Sequence, residues 1–446
     1  DSAFDFVVHT YGCKVNSYDS GLIEKRLFQK GHAASETKPR VHILNTCAVT
    51  AEATKEAVKK VRKIKSLDPQ STVVVTGCSA QVDGQAFDSL SEVDLVVANS
   101  HKVQLEDLLR QHFNGELNDK VFRSNIFKKD DLEEGGGLDS DHTRTFLKVQ
   151  DGCNSFCTYC VIPFARGKSR SLSVRDLAAR VQGFHESGIR EVVLTGVHIG
   201  DYEDSGKASP KYLADLVRVL LEETEIERIR LGSLEPVELT PELMGLFANE
   251  RLCPHFHMSI QSANTKVLQL MKRKYSAEQV EDSLNMISAM VPGAFVGMDV
   301  IVGFPGETED DFQETYLRLA RLPWTRLHVF PYSERPGTKA LALPDSVKRE
   351  ARAFRAMRLR ELSLDRYNES AAEQIGKIKK VLVLKSPAKG ADGLSRDYWN
   401  IAIPELSTWE DRPVGQEIDI QIKGFDHSLQ SRIEGHLVGE VIANGR

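Results

Sequence analysis

The chain has 446 residues, of which 41% are hydrophobic and 27% charged. It has apolar material for two or three cores and no signature of global disorder. No run of eighteen apolar residues indicates a membrane span and no secretory leader is visible. Seven cysteines is an odd count without the spacing of a disulfide framework, so a cytoplasmic protein with reduced thiols is expected. A formal net charge of −6 argues against a general nucleic-acid coat but leaves room for a local basic patch.

In residues 1–125 one pattern occurs three times, an apolar strand followed closely by a cysteine. Phe4–His9 precedes Cys13, Val41–Leu44 precedes Cys47, and Thr72–Val75 precedes Cys78. Amphipathic stretches around Ser20–Lys30 and Ala51–Ser66 lie between them, and Val93–Val97 with a helix over Gln104–Phe113 completes the segment. Strand and helix in alternation predict a parallel α/β sheet, whose strands all end on one ligand-binding edge. A lone cysteine is usually a small buried hydrophobe, but three in one topological position would converge there as a three-thiolate site. Gly12 and Gly77 would let the backbone come close to whatever is bound.

Residues 126–141 are charged and glycine-rich and read as a linker. Beyond them, in residues 142–370, a strand at Thr145–Val149 leads into Cys153, Cys157 and Cys160, spaced CxxxCxxC. Three thiolates within eight residues suit a soft metal site but leave a four-coordinate centre one ligand short. Either a reacting group takes the open position, or the site is a structural zinc with a distant fourth ligand.

Five further strands are expected at Glu191–Leu194, Ile226–Leu231, His255–Ile260, Val296–Val302 and Thr325–Phe330. Helices over Val174–Ser187, Tyr212–Glu222, Glu242–Asn249, Asn264–Met271, Ala277–Met290 and Glu309–Leu319 separate them. Six βα units predict a partial (βα)6 barrel with its site at the strand C-terminal ends. There stand Gly196 and His198, Glu235, Gln261 with Ser262, and Gly303 to Gly306. Gly196, Glu235, Gln261 and Gly303 are the candidate cofactor-binding residues, glycine giving access to the backbone and Glu235 accepting from an amino or hydroxyl group. Each could equally be a turn glycine or a helix-starting acid. Neither a Walker motif nor GxGxxG is present, which disfavours ATP or NAD binding in those forms. Cys253 reads as a buried thiol, His255 and His257 as core or supporting residues on one strand face, and Trp324 and Tyr332 as packing residues.

Val347–Asn368 is strongly helical and basic, carrying Lys348, Arg349, Arg352, Arg355, Arg358, Arg360 and Arg366. A solvated face and an RNA-backbone contact are both open readings. Residues 371–446 change to short strands at Lys380–Leu384, Tyr398–Ala402, Glu417–Ile422 and Leu437–Ile442, which predict a small β-barrel.

The string Asp151-Gly-Cys153-Asn-Ser-Phe-Cys157-Thr-Tyr-Cys160-Val-Ile-Pro-Phe-Ala-Arg166-Gly167 resembles the cluster motif of radical S-adenosylmethionine enzymes, in their methylthiotransferase branch. Thr10–Asn16, Asn45–Thr50 and Thr76–Gln81 are similar to the amino-terminal domain of that branch. His257–Ser262, Met298–Glu307 and Phe330–Thr338 are similar to its catalytic domain. One departure is Ser262-Ala263-Asn264-Thr265, where the family commonly has Ser-Gly-Ser-Asp. Residues 371–446 resemble the TRAM domain of tRNA-modifying enzymes. The strings Gly12–Asn16 and Leu194–Tyr202 resemble the bacterial enzymes acting on threonylcarbamoyladenosine at tRNA position 37.

The resemblance implies two [4Fe–4S] clusters, one on Cys153, Cys157 and Cys160 and one on Cys13, Cys47 and Cys78, with all six cysteines taking part in catalysis. It implies S-adenosyl-L-methionine as the source of a 5'-deoxyadenosyl radical and of the methyl group, since an aromatic C–H bond yields to no ordinary acid–base pair. Arg166 would be an anion contact. A methylthio group would go to C2 of N6-threonylcarbamoyladenosine in a tRNA anticodon stem-loop, with reductant from a flavodoxin or ferredoxin and an unknown sulfur donor. The alternatives are the same reaction on N6-isopentenyladenosine and a non-catalytic iron–sulfur RNA-binding protein.

Overall fold

The computed structural model describes residues 3–129, 143–205, 209–388, 391–408, 412–426 and 435–442. Most of the expected linker at 126–141 lies outside them; Ile126–Lys128 within it forms a short 3-10 turn.

The valine- and isoleucine-rich segments Val41–Thr46, Thr72–Gly77 and Leu95–Ala98 are buried on both faces, as parallel strands covered by helices must be. They form the centre of a six-stranded parallel sheet ordered 33–34, 5–10, 41–46, 72–77, 95–98, 121–122. One face packs Ile23 and Leu27 of the helix Lys14–Gln29 and Leu105, Leu108 and Leu109 of Leu105–Asn114 against Phe6, Ile43 and Val74. The other packs Ala57, Val61 and Ile64 of Ala51–Leu67 with Phe87 against Leu44, Val73 and Val75. The helix Ala51–Leu67 starts where the Thr50 side chain accepts from the Ala53 N–H.

Six parallel strands follow at Arg144–Asp151, Glu191–Gly196, Arg228–Leu231, His255–Gln261, Phe295–Val302 and Arg326–Pro331. A bridge between Ile229 and Leu252 and the short strand Ser233–Leu234 join the two groups of strands, giving a curled open half-barrel. Alternation sorts the side chains. Leu147, Val149, Val192, Leu194, Met258 and Val300 enter the core under the helices. The intervening positions, among them Arg144, Phe146, Lys148, Arg230, His257 and Asp299, face the concave side. No described helix is long and apolar enough to cross a membrane.

The helix Arg349–Ala372 packs along Arg326–Pro331 through Ala356 and Leu359, then gives Tyr367 and Ala371 to the core of a closed five-stranded barrel. That barrel runs 378–388, 391–395, 400–402, 436–441, 417–426, and Ala391–Ser395 is a strand the sequence pattern did not indicate. Neither reading of the basic helix holds for most of its arginines. Arg352 donates to the Tyr332 carbonyl, Arg355 pairs with Glu307 at 2.6 Å, Arg360 donates to Val329, and Arg366 donates to Leu322 and covers the Trp324 ring. These side chains staple the helix to the half-barrel.

Candidate functional site

The three strand ends of the first sheet are wired together before any metal is considered. Asn16 donates to the Tyr11 carbonyl at 2.8 Å and to the Thr46 carbonyl at 3.0 Å, joining the turn before Cys13 to the one before Cys47. Asn45 donates back to the Asn16 carbonyl at 2.9 Å, and the Thr46 hydroxyl donates to the Thr76 carbonyl at 2.5 Å, one residue before Gly77 and Cys78. Cys13 caps the helix Lys14–Gln29 and is exposed, whereas Cys47 and Cys78 are buried. Gly12 stands at φ +92°, and a Cβ built on it would lie 2.5 Å from the Cys47 sulfur, so only glycine fits that close approach. Burial pushes the Cys47 thiol up to about 11, with Cys78 adding to the shift; burial also raises Cys78, against the pull of Arg166.

The second triad lies on one loop, held from outside. The Thr158 N–H donates to Met271 and its hydroxyl to Leu270, while the Ala340 N–H donates to the Thr158 carbonyl. Gln150 ties the loop base to the next strand, donating to the Gly152 carbonyl at 2.7 Å and accepting from the His198 N–H at 2.9 Å. Each sulfur differs in its surroundings. Burial alone would raise Cys153, but His198 and the Ser155 N–H outweigh it and lower the thiol. Arg273 donates to the Cys157 sulfur at 3.2 Å. Burial pushes Cys160 up to about 12, and Cys157 and Cys153 add to it.

Among the described residues, the three sulfurs of neither triad gather within 4.8 Å. A single tetrahedral zinc would draw its sulfurs to about 3.8 Å of one another, as Zn–S bonds near 2.3 Å require. Sulfurs bound to separate irons of one cluster stay further apart. Soft donors, backbone N–H and guanidinium groups at sulfur, and the glycine approach at Cys47 all suit iron–sulfur clusters.

Arg166 is not the anion contact expected. It is 3% exposed and donates to Asp151 at 3.0 Å, to Asp19 at 3.1 Å and to the Asn16 carbonyl oxygen of the side chain at 2.6 Å. Lys148 joins Asp19 at 2.6 Å and Asp151 at 3.1 Å, and Lys102 adds a third cation on Asp19 at 3.2 Å. Three cations face two carboxylates between the triads, and Arg166 also feels the charges of Cys78 and Cys13. The surplus positive charge complements sulfur ligands that bind as thiolates.

Above the second triad lies an acidic wall around His198. Its imidazole meets Asp201 at 3.1 Å, Glu235 at 3.3 Å and Glu238 in a short contact. Burial alone would lower His198, but Asp201, Cys153 and Glu238 raise it and keep it charged. Glu235 is 2.9 Å from Arg273, so one guanidinium links it to Cys157; burial nevertheless raises the Glu235 carboxyl. Gly196 sits against the Gln150 carbonyl, and Gln261 ends its strand at φ +61°, where a non-glycine residue is strained. Gly303 has a different neighbour: a Cβ on it would lie 2.3 Å from Cγ of Arg352, so its small size also serves helix packing.

Sequence reasoning missed Arg273, Asp19, Lys148 and Glu238 as parts of this site. Lys148 carried a signal, being a charge inside an otherwise apolar strand. His255 and His257 share the concave face, as residues two apart on a strand must: His255 is buried there, stacked 3.9 Å from Tyr398, and His257 pairs with Asp299 at 2.9 Å. Cys253, Trp324 and Tyr332 are buried. An unexpected trio of Phe127, Phe156 and Phe164, with ring centroids 6.0 to 6.2 Å apart, lies beside the cysteine loop.

Comparison with known proteins adds an independent line. Residues 5–98 match the family described as Uncharacterized protein family UPF0004, and residues 147–319 match the Radical SAM superfamily. Threonylcarbamoyladenosine tRNA methylthiotransferase MtaB of Aquifex aeolicus is 38% identical, over 84% of this chain and 92% of that protein. The protein of the same name from Bacillus subtilis is 34% identical, over 84% and 83%. The tRNA-2-methylthio-N(6)-dimethylallyladenosine synthase of Desulfotalea psychrophila is 31% identical, over 85% and 88%. In fold, the chain is similar to the radical S-adenosylmethionine methyltransferase TsrM of Kitasatospora setae, with a TM-score of 0.55 at 13% identity over 75% and 76% of the two chains.

Proposed function

Because the chain belongs to the radical S-adenosylmethionine methylthiotransferase family, and is a tRNA methylthiotransferase, we propose that its substrate is N6-threonylcarbamoyladenosine at position 37 and its product the 2-methylthio derivative. The observation that carries the reading is the pairing of two cysteine triads across one buried charge junction. Each triad offers three ligands and leaves one position open for chemistry. With a [4Fe–4S] cluster on each triad and S-adenosylmethionine bound, the site gains radical hydrogen abstraction together with sulfur and methyl transfer.

The chain's own residues have distinct tasks in this proposal. Cys153, Cys157 and Cys160 hold the cluster that works with S-adenosylmethionine, and Cys13, Cys47 and Cys78 hold the one that carries sulfur. Gly196, Glu235, Gln261 and Gly303 line the place of S-adenosylmethionine, Glu235 accepting from its amino group. Arg273 fixes Glu235 relative to Cys157. The open half-barrel admits a base that has left its stack, which costs least in a single-stranded anticodon loop. The small carboxy-terminal barrel provides a surface for the stem-loop. Electrons come from a flavodoxin or ferredoxin, and the reaction takes place in the cytoplasm.

Nucleoside mass spectrometry of tRNA tests this. Cells lacking the protein are expected to lose 2-methylthio-N6-threonylcarbamoyladenosine, to regain it with the wild-type chain and not with Cys157→Ala. Loss of the methylthio dimethylallyl nucleoside instead would move the assignment to the activity named for the Desulfotalea relative.

A further inference from the structure

At the strand starts of the half-barrel, groups from all three parts of the chain meet around two aromatic rings. Lys14, from the first helix of the amino-terminal sheet, reaches across so that its Nζ is 5.5 Å from the centroid of the Phe146 ring. Arg144, at the start of the same strand as Phe146, places its guanidinium 5.8 Å from that ring. Arg230 covers the ring of Tyr398 at 4.9 Å, and Tyr398 belongs to the carboxy-terminal barrel. Lys14 feels the charges of Tyr398, Arg144, Arg230 and Glu191.

The charges here do not balance. Glu191 is shared among Arg144 at 3.1 Å, Arg228 at 2.9 Å and Arg230 at 2.9 Å. Nothing comparable stands against Lys14: among the described residues it has no ion pair or hydrogen bond, only the Phe146 ring, and it remains open to solvent. Nη2 of Arg144 faces Glu191, but its Nε is buried without a hydrogen-bond acceptor, although buried donors are normally satisfied. Tyr398 is held at φ +72°, a conformation a tyrosine keeps only where its surroundings impose it. An unpaired ammonium, an unsatisfied Arg144 Nε and three arginines sharing one carboxylate call for a further anionic acceptor.

We propose that Lys14, Arg144 and Tyr398 form a carboxylate subsite that receives the threonyl carboxylate of the N6 substituent. It rests on the threonylcarbamoyl reading above and adds the means by which that substrate is distinguished. On adenine, C2 and C6 both flank N1, and the bonds leaving them, C2–H and C6–N6, diverge. A base that presents C2 to the cysteine loop can therefore carry its N6 substituent obliquely away from that loop, along the concave side towards the strand starts. Phe146 lies five residues before the strand's end at Asp151, roughly 17 Å along it, which leaves depth for that arrangement. A dimethylallyl group has no charge to offer and would leave the Lys14 ammonium and the Arg144 Nε unpaired, a form of discrimination stronger than shape alone.

The test uses reconstituted full-length holoenzyme and synthetic anticodon stem-loops carrying either N6-threonylcarbamoyladenosine or its carboxamide analogue, in which only the charge is removed. Wild type is expected to lose about ten- to a hundredfold in kcat/KM from acid to amide. Lys14→Gln is expected to lose a similar factor on the acid and to treat the two substrates nearly alike, while keeping its iron content. Tyr398→Phe, which removes one hydroxyl, is expected to show a smaller loss confined to the acid. Equal wild-type rates on acid and amide overturn the subsite without any variant, as does a Lys14→Gln enzyme that keeps the wild-type preference. A wild-type enzyme that modifies the dimethylallyl stem-loop and neither threonylcarbamoyl form defeats the functional reading itself.

Discussion

The two cysteine triads reach the same number of thiols by opposite routes. Cys13, Cys47 and Cys78 come from three strand ends set 34 and 31 residues apart, and the sheet brings them together. Cys153, Cys157 and Cys160 come from a single loop, and other segments fix its shape through Thr158, Gln150 and Arg273. In the first triad burial raises Cys47 and Cys78. In the second, His198 draws Cys153 the other way. A convergent triad depends on the whole domain being folded, and a loop triad depends on its neighbours. The difference fits the proposed division, in which the loop triad works with S-adenosylmethionine and the sheet-edge triad carries sulfur.

The largest effects should separate the two triads outright. Cys157→Ala is expected to abolish both methylthiolation and the reductive cleavage of S-adenosylmethionine, a loss beyond about a thousandfold when 5'-deoxyadenosine is quantified. Cys47→Ala should abolish methylthiolation while 5'-deoxyadenosine still forms, with iron falling from about eight to about four atoms per chain. If Cys47→Ala also stops the cleavage, the triads are not independent and the contrast fails.

Arg166→Met probes what joins them. Removing one partner from a buried ion network costs about 3–5 kcal/mol, read as a lower urea midpoint. The same variant has a pH signature. Asp19 and Asp151 are held below the ordinary carboxylate range; burial opposes this, and Lys102, Lys148 and Arg166 on Asp19, with Arg166 and Lys148 on Asp151, outweigh it. A depressed folded pKa contributes stability that is present above the unfolded value, near 4, and is lost as pH falls towards the folded values. Wild type should therefore lose stability steeply on acidification below about pH 4, and Arg166→Met should lose less over that interval. Equal acid slopes would show that the junction is not the source. The smallest effect is expected from Gly12→Ala, which forces a Cβ against Cys47 at positive φ. It should cost about 1–2 kcal/mol and slow metal uptake at the first triad, with little change at the second.

Strands and cysteines were legible in the sequence because both are local. Val41–Thr46 and Thr72–Gly77 announce themselves by continuous apolar runs, and CxxxCxxC needs only eight residues. The convergence of Cys13, Cys47 and Cys78 followed from the parallel-strand rule. What escaped were pairings without period or motif. Arg166 meets Asp19 across 147 residues, and Arg228 donates to Leu394 across 166. The basic helix misled for a related reason, since charge along a helix says nothing of the carbonyls of Tyr332, Val329 and Leu322 that wait beside it.

The charge junction has a consequence for biosynthesis. A ribosome delivers the amino-terminal sheet well before Lys148 and Arg166, and until then Asp19 has only Lys102 among its three cationic partners. The first domain is thus completed electrostatically by a segment made later, and a fragment ending before residue 148 would leave Asn16 and Asp19 facing water. Truncation at the apparent domain border removes part of the first domain's own interior.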